Sequence, residues 1–265
     1  MVISIKMVLK PFLFYWVHRP ILVTMIEREW RIKYAGTSLR WLWLLIRPLM
    51  QLGIYAFVFM FIMKTEGGAT PYLLHLLSGL IVWQTFLEIV NSAGRAVILD
   101  QDLLKKTNIP RLFLPLYRSF LGLPDWAIYL FLYAVVSIAL RESFHFTLIW
   151  LPLAMLLNWF FAVGVAYWCN VWAVFNRDIH HLFMTTVNYL LWLTPVFYRL
   201  DSVPQSYQFL FNLNPLSGIV ALYRYSLYAA PLPNGTWLSI FIGLIIAVIG
   251  FVLYQKREDE FIDYL

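Results

Sequence analysis

Long apolar stretches alternate with shorter polar stretches along this chain. A helix needs roughly 20 apolar residues to cross the ~30 Å hydrocarbon core of a membrane. The stretches that qualify cover residues 41–63, 71–90, 112–140, 146–175, 182–198 and 237–254. The third is long enough to be tilted or broken at Pro124. The pattern predicts an all-α integral membrane protein with six transmembrane helices.

The segment before the first stretch is amphipathic. Within residues 20–38, Ile21, Met25 and Ile32 stand among charged side chains. This mixture is too charged to cross a membrane but suits a helix that lies at the interface, with Trp30 and Tyr34 at headgroup depth. The sequence therefore predicts an N-terminal interface helix, with a soluble helix packed on another element as the alternative.

The region between the fifth and sixth stretches, residues 199–235, is apolar but interrupted by prolines. Proline cannot continue a helix, so only two short pieces remain, at about 203–211 and 216–228. Both are too short to cross a bilayer at 1.5 Å per residue. We predict a pair of short re-entrant helices on the outer face; a large surface loop is the alternative.

We detect no internal repeat, and the pattern predicts one membrane domain over residues 1–265. Residues 1–38 form a cytoplasmic amphipathic region. Residues 39–198 carry spans one to five and include a polar coupling segment at 91–111. The re-entrant region at 199–235 precedes the last span and cytoplasmic tail at 236–265.

The positive charges predict the orientation. If both termini are cytoplasmic, 16 of the 20 lysines and arginines fall on the inner side. Cytoplasmic loops carry an excess of Lys and Arg, so this topology agrees with the positive-inside rule and the reverse topology does not. We predict a multi-pass protein of the inner, cytoplasmic membrane with both termini inside.

Composition excludes several classes of protein. Hydrophobic residues make up 62% and charged residues 13%, against roughly 45–50% and 25% in soluble domains. The single cysteine, Cys169, excludes a disulfide framework. The sequence contains no G-x-x-x-x-G-K-[ST], G-x-S-x-G or H-E-x-x-H motif. We identify no catalytic residue, metal site or cofactor site, and no sign of a nucleic-acid partner.

Aromatic residues are abundant, with 12 Trp, 16 Tyr and 21 Phe. Aromatic belts at the membrane interfaces account for some of them. Others fall deep in predicted spans, where aromatic faces suit the C–H faces of sugar rings. The candidates for a glycan channel are Tyr55, Phe59, Trp159, Tyr167, Trp168 and Trp172. The alternative is that these rings pack helices together or face lipid.

The coupling segment is too long for a tight turn between antiparallel helices. Apolar and charged residues alternate in it as in a short surface helix that seats in the groove of a soluble partner. The candidate coupling residues are Ile98, Asp100, Asp102, Leu103, Lys105 and Lys106. Farther along, Arg118 and Asp125 are two helical turns apart and are expected to lie on roughly the same face.

Several motifs together resemble those of one family. They are EREWRIKYAGTSLRWLWLLIRPL (27–49), SGLIVWQTF (78–86), KKTNIPR (105–111), FNRDIHH (175–181), and LTPVFY with NPLSGIVALYR (within 193–224). The chain resembles the permease subunit of type-2 ABC exporters of polysaccharides, the Wzm-like permeases of O-antigen export with their capsule and teichoic-acid relatives. Arg40 stands where that family usually has glycine.

The resemblance implies a homodimer of six-span subunits that works with two copies of a separate nucleotide-binding ATPase. ATP and Mg²⁺ would bind to that partner, which residues 91–111 would contact. The cargo would be a polysaccharide linked to undecaprenyl diphosphate, of O-antigen type, or a capsular polysaccharide or teichoic acid. A stand-alone secondary transporter and a membrane enzyme acting on lipid-linked sugars are alternatives from other classes.

Basic residues near the inner interface are candidates to bind the lipid diphosphate. Guanidinium groups bind phosphate through bidentate, charge-assisted hydrogen bonds. The candidates are Arg28, Arg31, Lys33, Arg40 and Arg47. The same residues are equally suited to binding anionic membrane lipids.

Overall fold

The structure, a computed structural model, describes residues 19–33, 42–64, 71–106 and 109–264, and every regular element in these ranges is helical. The α-helices are α1 (Arg19–Lys33), α2 (Leu42–Ala56), α3 (Tyr72–Ala93), α4 (Ala96–Leu99), α5 (Gln101–Lys106), α6 (Phe113–Ser119), α7 (Leu123–Ala139), α8 (Leu151–Phe175), α9 (Arg177–Leu193), α10 (Gln205–Leu213), α11 (Pro215–Tyr228), α12 (Thr236–Arg257) and α13 (Phe261–Tyr264). A π-helical segment, Phe57–Ile62, extends α2. Short 3₁₀ segments occupy Phe120–Gly122, Phe146–Trp150, Leu200–Ser202 and Glu258–Glu260.

Within the described ranges, five helical stretches are long and apolar enough to cross a membrane. They are Leu42–Ile62, Tyr72–Ala93, Phe113–Ala139, Phe146–Phe175 and Thr236–Glu260. The predicted span at 182–198 corresponds to α9, which has 17 residues and carries Thr185, Thr186 and Asn188. Because α9 is shorter and more polar than the others, it is not among the five, and the count of six stays a prediction.

The third candidate span changes its helical form where the sequence predicts a tilt or break. The α-helix α6 passes through the 3₁₀ turn Phe120–Gly122 into α7, whose first turn contains Pro124. Proline is tolerated in a first turn because its missing N–H has no intrahelical partner there. The proline therefore starts a new α-helix rather than kinking one.

Helix α3 is the centre of the bundle. In its most apolar stretch 78% of the residues are buried within the chain, whereas in the corresponding stretch of α2 only 11% are buried. Helices α6, α7, α8 and α11 pack around α3. Helix α2 lies at the periphery, and its exposed apolar side chains can contact lipid or another protein chain.

Helices α8 and α12 pack backbone against backbone. A Cβ atom at Gly164 of α8 would overlap the backbone of Ala247 in α12, and one at Gly250 of α12 would overlap the carbonyl oxygen of Gly164. Small residues of this kind let two membrane helices approach closely enough for extensive van der Waals contact. The fourth and last candidate spans are therefore joined along a tight seam.

The region 199–235 contains two short helices, α10 and α11, as the proline pattern predicts. Asn214 joins them: its Oδ1 accepts a hydrogen bond from the N–H of Leu216, and its Nδ2 donates to the carbonyl of Leu193 and to the hydroxyl of Thr194, each at 3.0 Å. At 9 and 14 residues the helices are about 14 and 21 Å long. Neither is long enough to cross a membrane, and their re-entry into one stays a prediction.

Candidate functional site

The segment between α3 and α6 lies at one end of the bundle, which we call the coupling end. Gly94 ends α3 against α8, because a Cβ atom there would crowd the side chain of Cys169. Helix α3 begins at Tyr72 at the opposite end, about 33 Å away for a helix of 22 residues. The two ends of the bundle therefore belong to opposite sides of any membrane that α3 crosses.

A buried amide on α8 holds the start of the segment. The side chain of Asn170 has no solvent exposure and donates to the carbonyls of Ala93, at 2.6 Å, and Ala166, at 2.8 Å. Its Oδ1 accepts a hydrogen bond from the backbone N–H of Val97 at 3.0 Å. One side chain thus satisfies the last carbonyl of α3 and an otherwise unpaired N–H at the start of α4.

An ion pair holds the middle of the segment. Asp100 accepts two hydrogen bonds from Arg118, from Nε at 2.6 Å and from Nη2 at 2.8 Å, and a third from the hydroxyl of Tyr117 at 2.6 Å. The Arg118 and Asp100 side chains are only 8% and 11% exposed. Bidentate geometry fixes the relative orientation of the two groups, and removing either partner of a buried pair is strongly destabilising. This pair ties the segment to the third candidate span.

The N-terminal helix joins the same cluster. Glu29 of α1 lies 3.7 Å from Nη1 of Arg118, and the indole N–H of Trp30 donates to the carbonyl of Leu121 at 3.4 Å. The end of α12 reaches this end too, since the hydroxyl of Tyr254 donates to the carbonyl of Arg111 at 2.8 Å. The helices α1 and α12, which stand near the two ends of the chain, therefore meet the segment at the coupling end.

The predicted coupling residues divide into inward and outward sets. Asp100 faces inward to Arg118, and Ile98 and Leu103 are half-buried. Asp102, Lys105 and Lys106 are exposed, so they are the members of the set that another protein can reach. Leu99, which was not in the set, is 52% exposed although it is apolar.

Arg118, which the sequence expects on roughly the same face as Asp125, contacts carboxylates from other elements. Among the described residues, Arg118 forms its ion pairs with Asp100 and Glu29. Helical spacing relates residues on one helix but says nothing of a carboxylate that arrives from a preceding segment. The packing of α4 against α6 brings Asp100, the residue after α4, to Arg118.

The aromatic candidates do not form one lining within a subunit. Tyr55 and Phe59 both contact Phe197, at 4.8 and 5.0 Å between ring centroids, and Trp168 and Trp172 lie 5.2 Å apart. Trp159 donates to the hydroxyl of Ser119 at 3.1 Å.

Tyr167 is too deeply buried within the chain to line a channel. Its side chain is buried and its hydroxyl donates to the carbonyl of Leu112 at 3.1 Å, beside the ring of Tyr254. It packs helices together, which is the alternative role that the sequence left open. The other five candidates are half-buried and retain a surface that a ligand, a lipid or a second subunit can contact.

The basic candidates are exposed where the structure describes them. Arg28 and Arg47 are exposed, and Arg31 lies 3.9 Å from Glu27 in a solvent-exposed pair. Lys33 is described by its backbone alone, and Arg40 lies outside the described residues. The exposed guanidinium groups of α1 and α2 are available to phosphate groups near the coupling end.

Sequence reasoning missed Asn170, Tyr117 and Glu29 as parts of the coupling end. Asn170 had a recognisable signal, because a polar amide inside the apolar run of α8 costs free energy unless it is hydrogen-bonded. Tyr117 and Glu29 carried no such signal. Their roles depend on which helices pack together at Arg118.

Comparison with known proteins gives relatives of one kind. No protein-family model matches the chain. The O-antigen export system permease protein RfbA of Klebsiella pneumoniae is 24% identical over 255 residues, covering 92% of this chain and 95% of the relative. RfbA of Myxococcus xanthus is 23% identical over 248 residues, with the same coverage. The polysialic acid transport protein KpsM of Escherichia coli is 24% identical over 242 residues, covering 88% and 91%.

These matches span almost the full length of both partners, so they concern the whole arrangement of helices and not one motif. They agree with the motifs at residues 27–49 and 193–224, which lie near opposite ends of the chain. The resemblance indicated by the sequence is confirmed: along nearly its whole length, this chain is similar to the permease subunits of type-2 ABC exporters of polysaccharides.

Proposed function

We propose that this chain is the permease subunit of an ATP-driven exporter that moves a lipid-linked polysaccharide of O-antigen type across the inner membrane. Two copies form the conduit, and two copies of a separate ATPase bind at the coupling end. The cargo is carried on undecaprenyl diphosphate. The ATPase binds ATP and Mg²⁺, and this chain contributes no catalytic residue.

The observation that carries the proposal is the attachment of the coupling segment. Asn170 fastens it to α8 and Arg118 fastens it to the third candidate span, while Leu99, Asp102 and Lys106 face outward. A surface element that is rigidly bonded to two membrane helices can transmit a displacement to both. This is what a permease without its own nucleotide site needs in order to be driven by a partner.

The topology of the proposal has six crossings, and the positions of the helix ends support it. Glu29 and Tyr254 both reach the coupling end, so the number of crossings between them is even. The five long apolar stretches give an odd number, so one further crossing is needed. Helix α9 supplies the sixth, since it leaves α8 at the coupling end and its far end contacts Asn214.

The exposed apolar side chains of α2 support a dimer that encloses the conduit. They include Leu49, Met50, Ile54, Phe57 and Phe61, which α3 and α7 leave uncovered. In a homodimer these residues and the neighbouring Tyr55 and Phe59 face a second copy or the cargo. Arg28, Arg31 and Arg47 hold the lipid diphosphate at the inner interface by charge-assisted hydrogen bonds.

The test is co-purification with a candidate ABC ATPase from the same genome. Tagged full-length chain is expressed with that ATPase, purified, and reconstituted in liposomes for measurements of ATP hydrolysis and glycan transport. We expect the ATPase to co-purify and transport to require ATP. Transport by this chain alone, without the ATPase, would contradict the proposal and favour a secondary transporter.

A matched pair of variants locates the contact. Leu99→Asp places a charge on the outward apolar position of the coupling segment, and Leu140→Asp does the same at the opposite end, where Leu140 is also exposed. We expect Leu99→Asp to reduce recovery of the ATPase several-fold and Leu140→Asp to leave it unchanged. Equal recovery with both variants would place the contact elsewhere.

A further inference from the structure

A cavity of about 280 Å³ lies at the end of the bundle opposite the coupling segment. It is enclosed by the start of α3, the turn that follows α9, the helix α11, and the link between α11 and α12. Its volume approaches that of small-molecule sites, which begin near 300 Å³. The cavity therefore has room for a sugar-sized molecule and not only for a single ion.

One face of α11 lines this cavity from end to end. Ser217, Ala221, Arg224 and Tyr228 all border it, and their spacing of four, three and four residues puts them on one stripe of a helix. The stripe presents a hydroxyl group at one end and a guanidinium and a phenol at the other. Ala221 between them leaves the space open.

Arg224 is a buried cation without a carboxylate partner among the residues that the structure describes. The residue is 8% exposed. Its Nε donates to the hydroxyl of Ser78 at 3.4 Å, and its Nη2 donates to the carbonyls of His75, at 3.4 Å, and Val196, at 3.3 Å. All three bonds are longer than the usual 2.9–3.0 Å and all go to neutral acceptors. A buried charge in this state is costly unless a counter-charge reaches it.

Ser217 gives a second and independent observation. It is 7% exposed, and its hydroxyl oxygen has no hydrogen-bond partner in the part of the chain that the structure describes. Buried hydroxyl groups are normally hydrogen-bonded to protein or to a bound molecule. An unpaired hydroxyl that borders the same cavity as Arg224 is the arrangement expected of a site whose ligand is absent.

The other charged groups of the cavity leave Arg224 uncompensated. Arg199 and Asp201 border the cavity and pair with each other at 3.3 Å, and both are exposed to solvent. Their charges cancel at the mouth. His75 is engaged through its ring nitrogens with the hydroxyl of Tyr228 and the carbonyl of Tyr198, each at 3.3 Å. The interior therefore keeps the single positive charge of Arg224.

We propose that this cavity, which we call the Arg224 cavity, binds a sugar-sized acid, with its carboxylate or phosphate on Arg224 and a hydroxyl on Ser217. A guanidinium group offers planar, bidentate donors that match carboxylate and phosphate. The inference stands on the cavity and its two unsatisfied groups. It does not depend on the proposed export function.

The experiment measures ligand-induced thermal stabilisation of the purified full-length chain in zwitterionic nanodiscs. The probes are glucuronate and glucose 1-phosphate, with glucose as the neutral control, all at equal ionic strength. A ligand that binds only the folded state raises the unfolding temperature with concentration. We expect a saturable rise with at least one acid and none with glucose. Equal responses to glucose and to both acids, or no response to any probe, overturn the proposal.

Variants identify the site. Arg224→Gln is expected to abolish the rise, whereas Arg257→Gln, which removes an exposed arginine at the coupling end, keeps it. Ala221→Leu retains the charge but fills the space, and is expected to abolish the rise as well. If Arg224→Gln does not fold, the Ala221→Leu variant alone decides whether the ligand binds in this cavity. A full response in Arg224→Gln or in Ala221→Leu contradicts the proposal.

A further arm distinguishes two sources of the anion. Nanodiscs that contain phosphatidylglycerol offer a lipid phosphate at the same site. If that lipid raises the unfolding temperature of the wild type but not of Arg224→Gln, and removes the response to soluble acids, the natural occupant is a lipid headgroup. If soluble acids act equally in both membranes, the occupant is a free or glycan-borne acid.

Discussion

Asp100 Oδ2 lies 2.6 Å from Nε of Arg118, and this contact joins the polar segment at the coupling end to the third candidate span. The two residues are 18 positions apart: Asp100 lies between α4 and α5, and Arg118 belongs to α6. Glu29 approaches the same guanidinium at 3.7 Å from α1. Three elements that are separate in sequence are thereby connected through one arginine.

Replacement of Asp100 by Asn tests this connection. The change keeps the shape of the side chain but removes its charge, so that the longer contact with Glu29 is the ion pair that Arg118 retains among the described residues. Removing one partner of a buried ion pair costs about 3–5 kcal/mol. We expect a loss of about 3 kcal/mol in the free energy of unfolding, measured by denaturant titration of the detergent-solubilised chain.

The control for Asp100→Asn is Arg257→Gln. Arg257 pairs with Glu260 at 2.8 Å, but both side chains are well exposed. Exposed pairs contribute about 0–1 kcal/mol. If both variants lose the same stability, the Asp100–Arg118 contact does not carry the role given to it here.

Asn170→Ala removes the amide that holds the start of the coupling segment. The N–H of Val97 then has no acceptor from this side chain, and an unsatisfied buried group costs about 1–3 kcal/mol. We expect faster hydrogen exchange in residues 95–106 than in the wild type. Asn188→Ala is the matched control, because the Asn188 side chain is exposed and, among the residues that the structure describes, its hydrogen bond goes to the carbonyl of Met184 on its own helix. Unchanged exchange in Asn170→Ala would show that the segment is held by other contacts.

Gly164→Ala tests the seam between α8 and α12. The added methyl group would overlap the backbone of Ala247, which cannot rotate away as a side chain does. Overpacking of this kind costs about 1–3 kcal/mol, and we expect a lower unfolding temperature. Gly53→Ala is the control: no atom lies within 4 Å of its new Cβ, and a helical Gly→Ala change gains about 0.5–1 kcal/mol. Equal effects of the two changes would exclude the close approach.

Cysteine labelling tests the orientation. Cys169 is fully buried, so that cysteines introduced at Asp102 and Asp201 are the reactive ones. In spheroplasts we expect a membrane-impermeant maleimide to label Asp201→Cys at once and Asp102→Cys only after permeabilisation. The reverse pattern would invert the proposed topology. Labelling of both in intact spheroplasts would place the coupling end outside the cytoplasm.

The basic residues of α1 and α2 provide a functional prediction. Replacement of Arg31 and Arg47 together by Ala removes two exposed guanidinium groups that are available to a lipid diphosphate. We expect less polymer at the cell surface and unchanged assembly of the dimer. Lys256→Ala, an exposed cation on the last helix, is the control for loss of charge alone. Normal surface polymer in the double variant would rule out this role.

The sequence predicts the elements of this fold better than their contacts. Apolar length and proline positions correctly indicate α3, α8 and the short pair α10 and α11, since both signals are local. The weakest prediction, the span at 182–198, falls on α9, where Thr185 and Asn188 lower the apolarity. The sequence predicts that this segment is helical, but whether it crosses the membrane depends on which parts of the chain its two ends contact.

The candidate site was predictable only in part for the same reason. A cation such as Arg118 is recognisable in an apolar run, but its partner is set by the packing of a segment that precedes it. The sequence indicates even less about which aromatic residues are buried. Tyr167 and Trp168 are adjacent aromatic residues in one apolar stretch, but only Tyr167 is deeply buried. Which face of α8 meets α12 decides that difference.

The seam at Gly164, Ala247 and Gly250 limits how this subunit can change shape. Main chain lies directly on main chain at Gly164 and Ala247, and the indole of Trp168 packs against Gly250 and donates to the carbonyl of Ile246 at 3.1 Å. These two helices are therefore expected to move together as one rigid unit. If the chain forms the proposed conduit, its widening is expected to come from α2 and α9, many of whose apolar side chains are exposed.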